Sequence, residues 1–314
     1  MSQMRFRLFG NFQARLAGKI SPNLITGKLE ELFCFLLLHQ QMMTSRERLA
    51  ALLWGDTSTI QSKKYLRDAL WKLQERLSIS KGVSPVLLAS PECVRLNPQA
   101  DVWVDVTEFE TVFLAVEGLR GAELTAEEAQ SLQRAMELYR GDLLEGMYQD
   151  WCLCERVRFQ EMYQKMLHKL MLWCEANGQY EQGFHYGETI LRSDCAHERT
   201  HRAMMRLHYR ARDRTGALRQ YERCVTALRR ELDIEPSRHT ISLYELIRAD
   251  KLESLPPAPI QPASPRETAA RHLPELLEQY KYLLLTLTIL QQQVGHDVEM
   301  IERTLKDEGL LRQP

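Results

Sequence analysis

The stretch IQSKKYLRDALWKLQERL, Ile60–Leu77, decides how the rest of the chain is read. Leu66, Ala69, Leu70, Leu73 and Leu77 recur at helical spacing and make one apolar stripe. Lys63, Lys64, Arg67, Lys72 and Arg76 fall outside that stripe, with Trp71 among them and Asp68 and Glu75 as the acidic exceptions. No Gly or Pro interrupts the run, so the spacing predicts one continuous amphipathic helix. Such a helix is either a surface helix with a solvated charged face or a helix that lies in a DNA major groove. Its neighbours decide between the two.

On its N-terminal side, Thr44-Ser45-Arg46-Glu47 predicts a helix start, with Thr44 as cap and Glu47 completing a capping box. Leu49, Ala50, Leu52, Leu53 and Trp54 follow, and Gly55-Asp56 ends the helix. Two helices joined by a short loop, the second of them basic, stand in helix-turn-helix order. Further upstream, Leu29–His39 is apolar on more than one side and predicts a buried helix. Met4–Leu16 alternates around the Gly10-Asn11 turn and predicts an antiparallel hairpin. On the C-terminal side, Val86-Leu87-Leu88 and Val94-Arg95-Leu96 flank Ser90-Pro91-Glu92. A hairpin in that place is a wing, and Arg95 is its one basic residue.

Charge divides the chain in the same sense. The whole carries a formal net charge of −1. Residues 1–98 hold 14 basic and 7 acidic side chains, and the remainder holds 27 and 35. A basic N-terminal unit on an acidic body fits a nucleic-acid-binding head on a protein-binding body. Seven cysteines without scaffold spacing fit a reducing, cytoplasmic compartment. Arg5 and Arg7 are not followed by the apolar core of a secretion signal, and the run Tyr282–Leu290 is too short to span a bilayer, so no membrane is expected.

A short sheet, three helices and a hairpin resemble the OmpR/PhoB-type winged helix. Ser45-Arg46-Glu47-Arg48-Leu49-Ala50, Leu53-Trp54 and the Leu66-Arg67…Leu70…Leu73…Leu77 series resemble, more narrowly, the antibiotic-regulatory (SARP) transcriptional activators. Asp101-Val102-Trp103-Val104-Asp105-Val106 with Phe109 looks like that family's acidic exit from the DNA-binding domain. Leu138-Tyr139-Arg140-Gly141-Asp142-Leu143-Leu144, Trp151 and Arg156 resemble the start of its all-helical bacterial transcriptional activator domain. The resemblance covers about Met4 to Arg248. Asp68 departs from it, because relatives often carry Thr or Gln there. A carboxylate repels phosphate but can accept from a cytosine amino group.

Downstream, Thr125–Leu144 and Asp150–Asn177 predict helices separated by Gly146. A period of 35 then relates Gly178-Gln179-Tyr180…Tyr186 to Asp213-Arg214-Thr215…Tyr221. Each unit reads as two helices: Tyr180–Ser193 with His197–Arg212, then Gly216–Leu232 with Ser237–Ala249. This resembles tetratricopeptide repeats, whose period is about 34 residues. Pro256, Pro257, Pro259, Pro262 and Pro265 mark a linker. Beyond it Leu273, Leu277, Tyr280, Leu284, Leu287, Gln291, Val294, Val298, Ile301 and Leu305 make a heptad seam, which predicts a dimerising coiled coil or a helical bundle between subunits, the alternative being a long helix folded back onto the helical body.

Enzymatic signals are weak. The chain has no GxxxxGK[ST] phosphate loop and no GxGxxG after a strand. Cys152 and Cys154 would lie about 200° apart around a helix, which does not make a shared ligand face. His197-Glu198-Arg199-Thr200-His201 does match the HExxH string. It sits at the start of a repeat helix in a polar run and reads as ordinary solvated histidines rather than a zinc site.

The expected fold is therefore mainly α: a winged helix-turn-helix domain with small β-sheets, a tetratricopeptide-like α-helical domain and a C-terminal long helix. The expected boundaries are 1–100 for the DNA-binding domain, 101–252 for the activator domain, 253–270 for the linker and 271–310 for the long helix. The expected function is sequence-specific DNA binding by a transcriptional activator that is not an enzyme and needs no cofactor or metal. Lys63, Lys64, Arg67, Asp68, Trp71, Lys72 and Arg95 are the expected DNA-contacting residues. The expected partners are double-stranded DNA, further copies of the chain in a homodimer or larger oligomer, and RNA polymerase. The alternative is a tetratricopeptide-like scaffold whose winged helix binds protein.

Overall fold

The computed structural model describes residues 4–16, 19–21, 24–77 and 85–251. The Pro-rich linker and the heptad seam lie outside them. Among the described residues, a four-stranded sheet has the order β3-β2-β1-β7: Lys19–Ile20, Gln13–Leu16, Met4–Arg7 and Val102–Val104. The predicted N-terminal hairpin is its β1–β2 pair, with Phe6 opposite Ala14. β7 adds to β1 in parallel, with Phe6 level with Val104. The stretch read as an acidic exit is thus a strand of the first sheet.

Alternation decides which face of this sheet is covered. Met4 and Phe6 point inward and are buried, while Arg5 points out. Helix α1, Lys28–Leu38, covers the inner face. Phe33 meets Phe6 edge-on at 4.9 Å and Phe12 at 6.3 Å. Helices α2 (Arg46–Trp54) and α3 (Thr59–Leu77) pack on α1 and on each other. Leu66, Ala69, Leu70, Leu73 and Leu77 are all buried, which is the stripe read from sequence.

The cap of α2 differs from the expectation. Ser45, not Thr44, is the N-cap, and its Oγ accepts from Arg48 N at 3.2 Å. Thr44–Ser45 is instead strand β4, which pairs with β6 (Cys93–Leu96). β5 (Leu87–Ala89) pairs with the other edge of β6, giving a second sheet of order β4-β6-β5. Glu47 is free of the capping box and reaches across to α3.

The helical body starts with α4, Asp105–Val116, which the sequence reading did not separate from the acidic exit. α5 spans Ala126–Met136 and carries a capping box between Thr125 and Glu128. It stops well short of the predicted Leu144. Residues 137–149 form an irregular segment in which Leu144 has a left-handed backbone, φ 48°. α6 is the long Asp150–Ala176 helix, followed by α7 (Tyr180–Ser193), α8 (Glu198–Arg210), α9 (Arg214–Leu232) and α10 (Arg238–Arg248). Buried Glu175 of α6 ties α8 in place by accepting from Arg206 Nε and Nη2 at 2.9 and 3.0 Å.

A seam of main-chain bonds joins the sheet to this body. Asp105 is buried at the start of α4. Its Oδ1 accepts from Leu8 N at 2.8 Å and its Oδ2 from Phe9 N at 3.1 Å. Leu144 N donates to Leu8 O, Glu145 N to Gly10 O, and Gly10 N to Asp142 O, all between 2.8 and 2.9 Å. Arg156 holds the other side of the segment by donating to the carbonyls of Leu143, Leu144 and Met147, each at 2.9 Å. Phe9 fills the gap with its ring against Phe109, Tyr139 and Phe159. The motif Gly141-Asp142-Leu143-Leu144…Arg156 is the clasp that grips the β1–β2 turn. A Cβ on Gly141 would overlap the Glu145 carboxylate and touch Gly10.

Candidate nucleic-acid interface

α3 turns its unburied side outward as one continuous ridge. Ile60, Lys64, Arg67, Trp71 and Glu75 follow at three- and four-residue steps with Asp68 beside Arg67, so they share a face opposite the Leu stripe. Ile60 is 85% exposed and Trp71 61%. An apolar side chain at one end and an indole in the middle of a charged ridge gain nothing from water, so they are the first sign of a binding face. Lys72 flanks the ridge and is exposed.

Two of the expected residues sit differently. Lys63 points back along α2, where its Nζ pairs with Glu47 Oε1 at 2.7 Å. Both side chains are largely exposed, so the pair contributes little and Lys63 remains exchangeable. Arg95 lies on the central strand of the second sheet, half-buried, opposite Leu88. The tip of the hairpin carries Ser90 and Glu92 instead, with Ser90 Oγ accepting from Cys93 N at 2.9 Å. Asp68 stands beside Arg67, whose Nε is 3.9 Å from Oδ1. Lys64, Arg67, Asp68 and Trp71 are therefore brought together, Lys72 is adjacent, and Lys63 and Arg95 lie to the sides.

Sequence reasoning passed over Ile60 and Tyr65. Both are exposed, and Tyr65 lies near Trp54 at 6.4 Å between ring centroids. Their signal was available: each is an apolar residue out of phase with the Leu stripe.

The HExxH residues are taken up by the protein itself. His197 is the N-cap of α8, and its Nδ1 accepts from Thr200 N. Glu198 Oε1 accepts from Ser237 N at 2.8 Å, from Ser237 Oγ at 2.7 Å and from Thr240 Oγ1. His201 is buried rather than solvated, which corrects the sequence reading. Its Nε2 bonds to Cys195 O at 2.9 Å, and Gln220 Nε2 donates to its Nδ1 at 2.8 Å. Burial lowers its pKa, which fits a neutral ring. Cys152 is buried and Cys154 exposed, on different sides of α6, and all seven cysteines are free thiols.

No described helix is long and apolar enough to cross a membrane. Residues 104–248 match the bacterial transcriptional activator domain family. The fold is that of a solved structure of Mycobacterium tuberculosis EmbR in complex with a low-affinity phosphopeptide. That likeness has a TM-score of 0.68 at 19% identity and covers 89% of this chain and 72% of that one. A search of curated proteins found no significant match.

Proposed function

We propose that this chain, a SARP-type transcriptional activator by its architecture and its bacterial transcriptional activator domain at 104–248, binds double-stranded DNA through α3 and acts on transcription in the cytoplasm. The observation that carries the reading is the outward ridge of α3. Lys64 and Arg67 present cations, and Trp71 and Ile60 present apolar surface, on a helix braced from behind by five buried apolar side chains.

Each residue has a role that its chemistry fits. Arg67 suits bidentate contact with a guanine edge. Trp71 and Ile60 supply apolar surface against thymine methyls or sugars. Asp68 suits acceptance from a cytosine amino group, and next to Arg67 it narrows what Arg67 reads. Lys64 and Lys72 suit phosphates, as does Lys63 once it leaves Glu47, and Arg95 suits the backbone beside the groove. The body from 101 to 252, with its tetratricopeptide-like helix pairs, is assigned to partners, RNA polymerase among them. The tail beyond the linker is assigned to dimerisation, with two half-sites about one DNA turn apart or a multiple of it.

Selection of bound duplexes from a random pool tests this reading. The full chain should enrich a paired motif, and Arg67→Ala should lose preference at one base position per half-site. If the pool stays unenriched, α3 does not read DNA, and the winged helix is a protein-binding surface on a scaffold.

A further inference from the structure

A second cationic site lies on the opposite side of the winged helix from α3. The outer face of the first sheet carries Arg5 and Arg7 on β1 and Arg15 on β2, and these line one shallow pocket with Gln13. Arg5 and Arg15 are directly opposite each other across the β1–β2 ladder. Like charges in that position destabilise a hairpin. Exposed Arg140, from the segment that clasps the turn, adds a fourth cation whose field reaches Arg7.

Among the described residues no carboxylate forms an ion pair with any of the four. Asp105, whose charge acts on Arg7, spends its oxygens on the N–H groups of Leu8, Phe9 and Val106. Arg15 Nε is buried without a hydrogen-bond partner. Arg5 Cζ lies over the Trp103 ring, 4.3 Å from its centroid, which holds the guanidinium on this face. Burial and the neighbouring arginines together lower the pKa of Arg7, and the charge of Asp105 offsets this only in part, so the cluster carries net repulsion.

We propose that this arginine face is a binding site for a small molecule bearing a phosphate or pyrophosphate group. Three guanidiniums and a carboxamide lining one shallow pocket suit one compact oxyanion, which accepts N–H bonds from arginine forks. A duplex lying on α3 is separated from it by the layer of α1, so the site is distinct from the ridge and does not depend on the DNA reading.

The test is calorimetric titration and thermal melting of the full chain with inorganic pyrophosphate, against sodium chloride of matched ionic strength. Wild-type protein should bind saturably and melt higher with pyrophosphate than with chloride. Arg7→Gln and Arg15→Gln should each weaken binding at least tenfold. Without ligand, Arg15→Gln should melt at or above wild type, because it removes repulsion, whereas a purely structural Arg15 would give a lower melting point. The same shift from matched chloride, the same affinity in both variants, or a less stable free Arg15→Gln would each overturn the proposal. A duplex arm separates the sources. If duplex displaces pyrophosphate and Arg15→Gln weakens duplex binding, the phosphates are those of DNA and the small-molecule site is wrong.

Discussion

Asp105 shows how much one side chain can organise. It is almost fully buried, yet it accepts three main-chain N–H bonds, from Leu8, Phe9 and Val106. Desolvation outweighs those bonds and pushes its carboxyl up to about 6. The unfolded chain releases this proton near the ordinary carboxylate value of about 4. Between about pH 4 and 6 the native state therefore holds a proton that the unfolded state has lost, and its contribution to stability falls as pH rises through that window. Asp105→Ala leaves the N–H groups without acceptors and should cost about 2–4 kcal/mol in denaturant unfolding. Because the variant lacks the titration, its deficit against wild type should be largest near pH 4 and narrow toward pH 7.

At the scale of elements, α3 was the most legible part of the chain. Its stripe and its charged ridge repeat every three or four residues, so neighbours in sequence carry the whole signal. The Lys63–Glu47 pair was not legible, since nothing local places a residue of α2 against a residue of α3. Strand β7 was missed for a related reason: its partner β1 lies almost a hundred positions earlier, and only the folded chain brings them together. The helix predicted to run on to Leu144 stops at Met136 because the clasp needs a tight turn at Gly141 and a left-handed Leu144. The His201 environment was hidden because its partners, Cys195 O and Gln220, come from a loop and from α9. Two predictions belong here. Asp68→Asn removes a carboxylate from the α3 ridge and should raise affinity for random duplex severalfold while relaxing base preference, as read by competition binding. Gly121 sits in a tight turn, Gly121–Glu123, pressed on α6, where a Cβ would overlap the Lys169 carbonyl. Gly121→Ala should cost about 1–3 kcal/mol of stability, since backbone on both sides has to move.

Over the described part of the molecule, the seam makes winged helix and helical body one unit. The buried core runs without a break from Met4 through α1 and α3 to Phe109, Phe159 and Cys174. Arg156 is the clearest handle on this coupling, because one side chain donates to three carbonyls of the clasp. Arg156→Ala should split the calorimetric unfolding peak into two, whereas wild type should show one. A coupled unit of this kind gives α3 a fixed orientation relative to the helical body. If α3 binds DNA, the binding must depend on salt. Fluorescence polarisation of a labelled duplex, titrated with the full chain over a series of salt concentrations, gives the slope of log affinity against log salt. Wild type should give a clearly negative slope, and the Lys64→Ala/Arg67→Ala/Lys72→Ala variant should be flatter by about 2–3 and bind more weakly at every salt. A wild-type slope near zero, or an unchanged slope in the triple variant, would mean that α3 does not bind DNA.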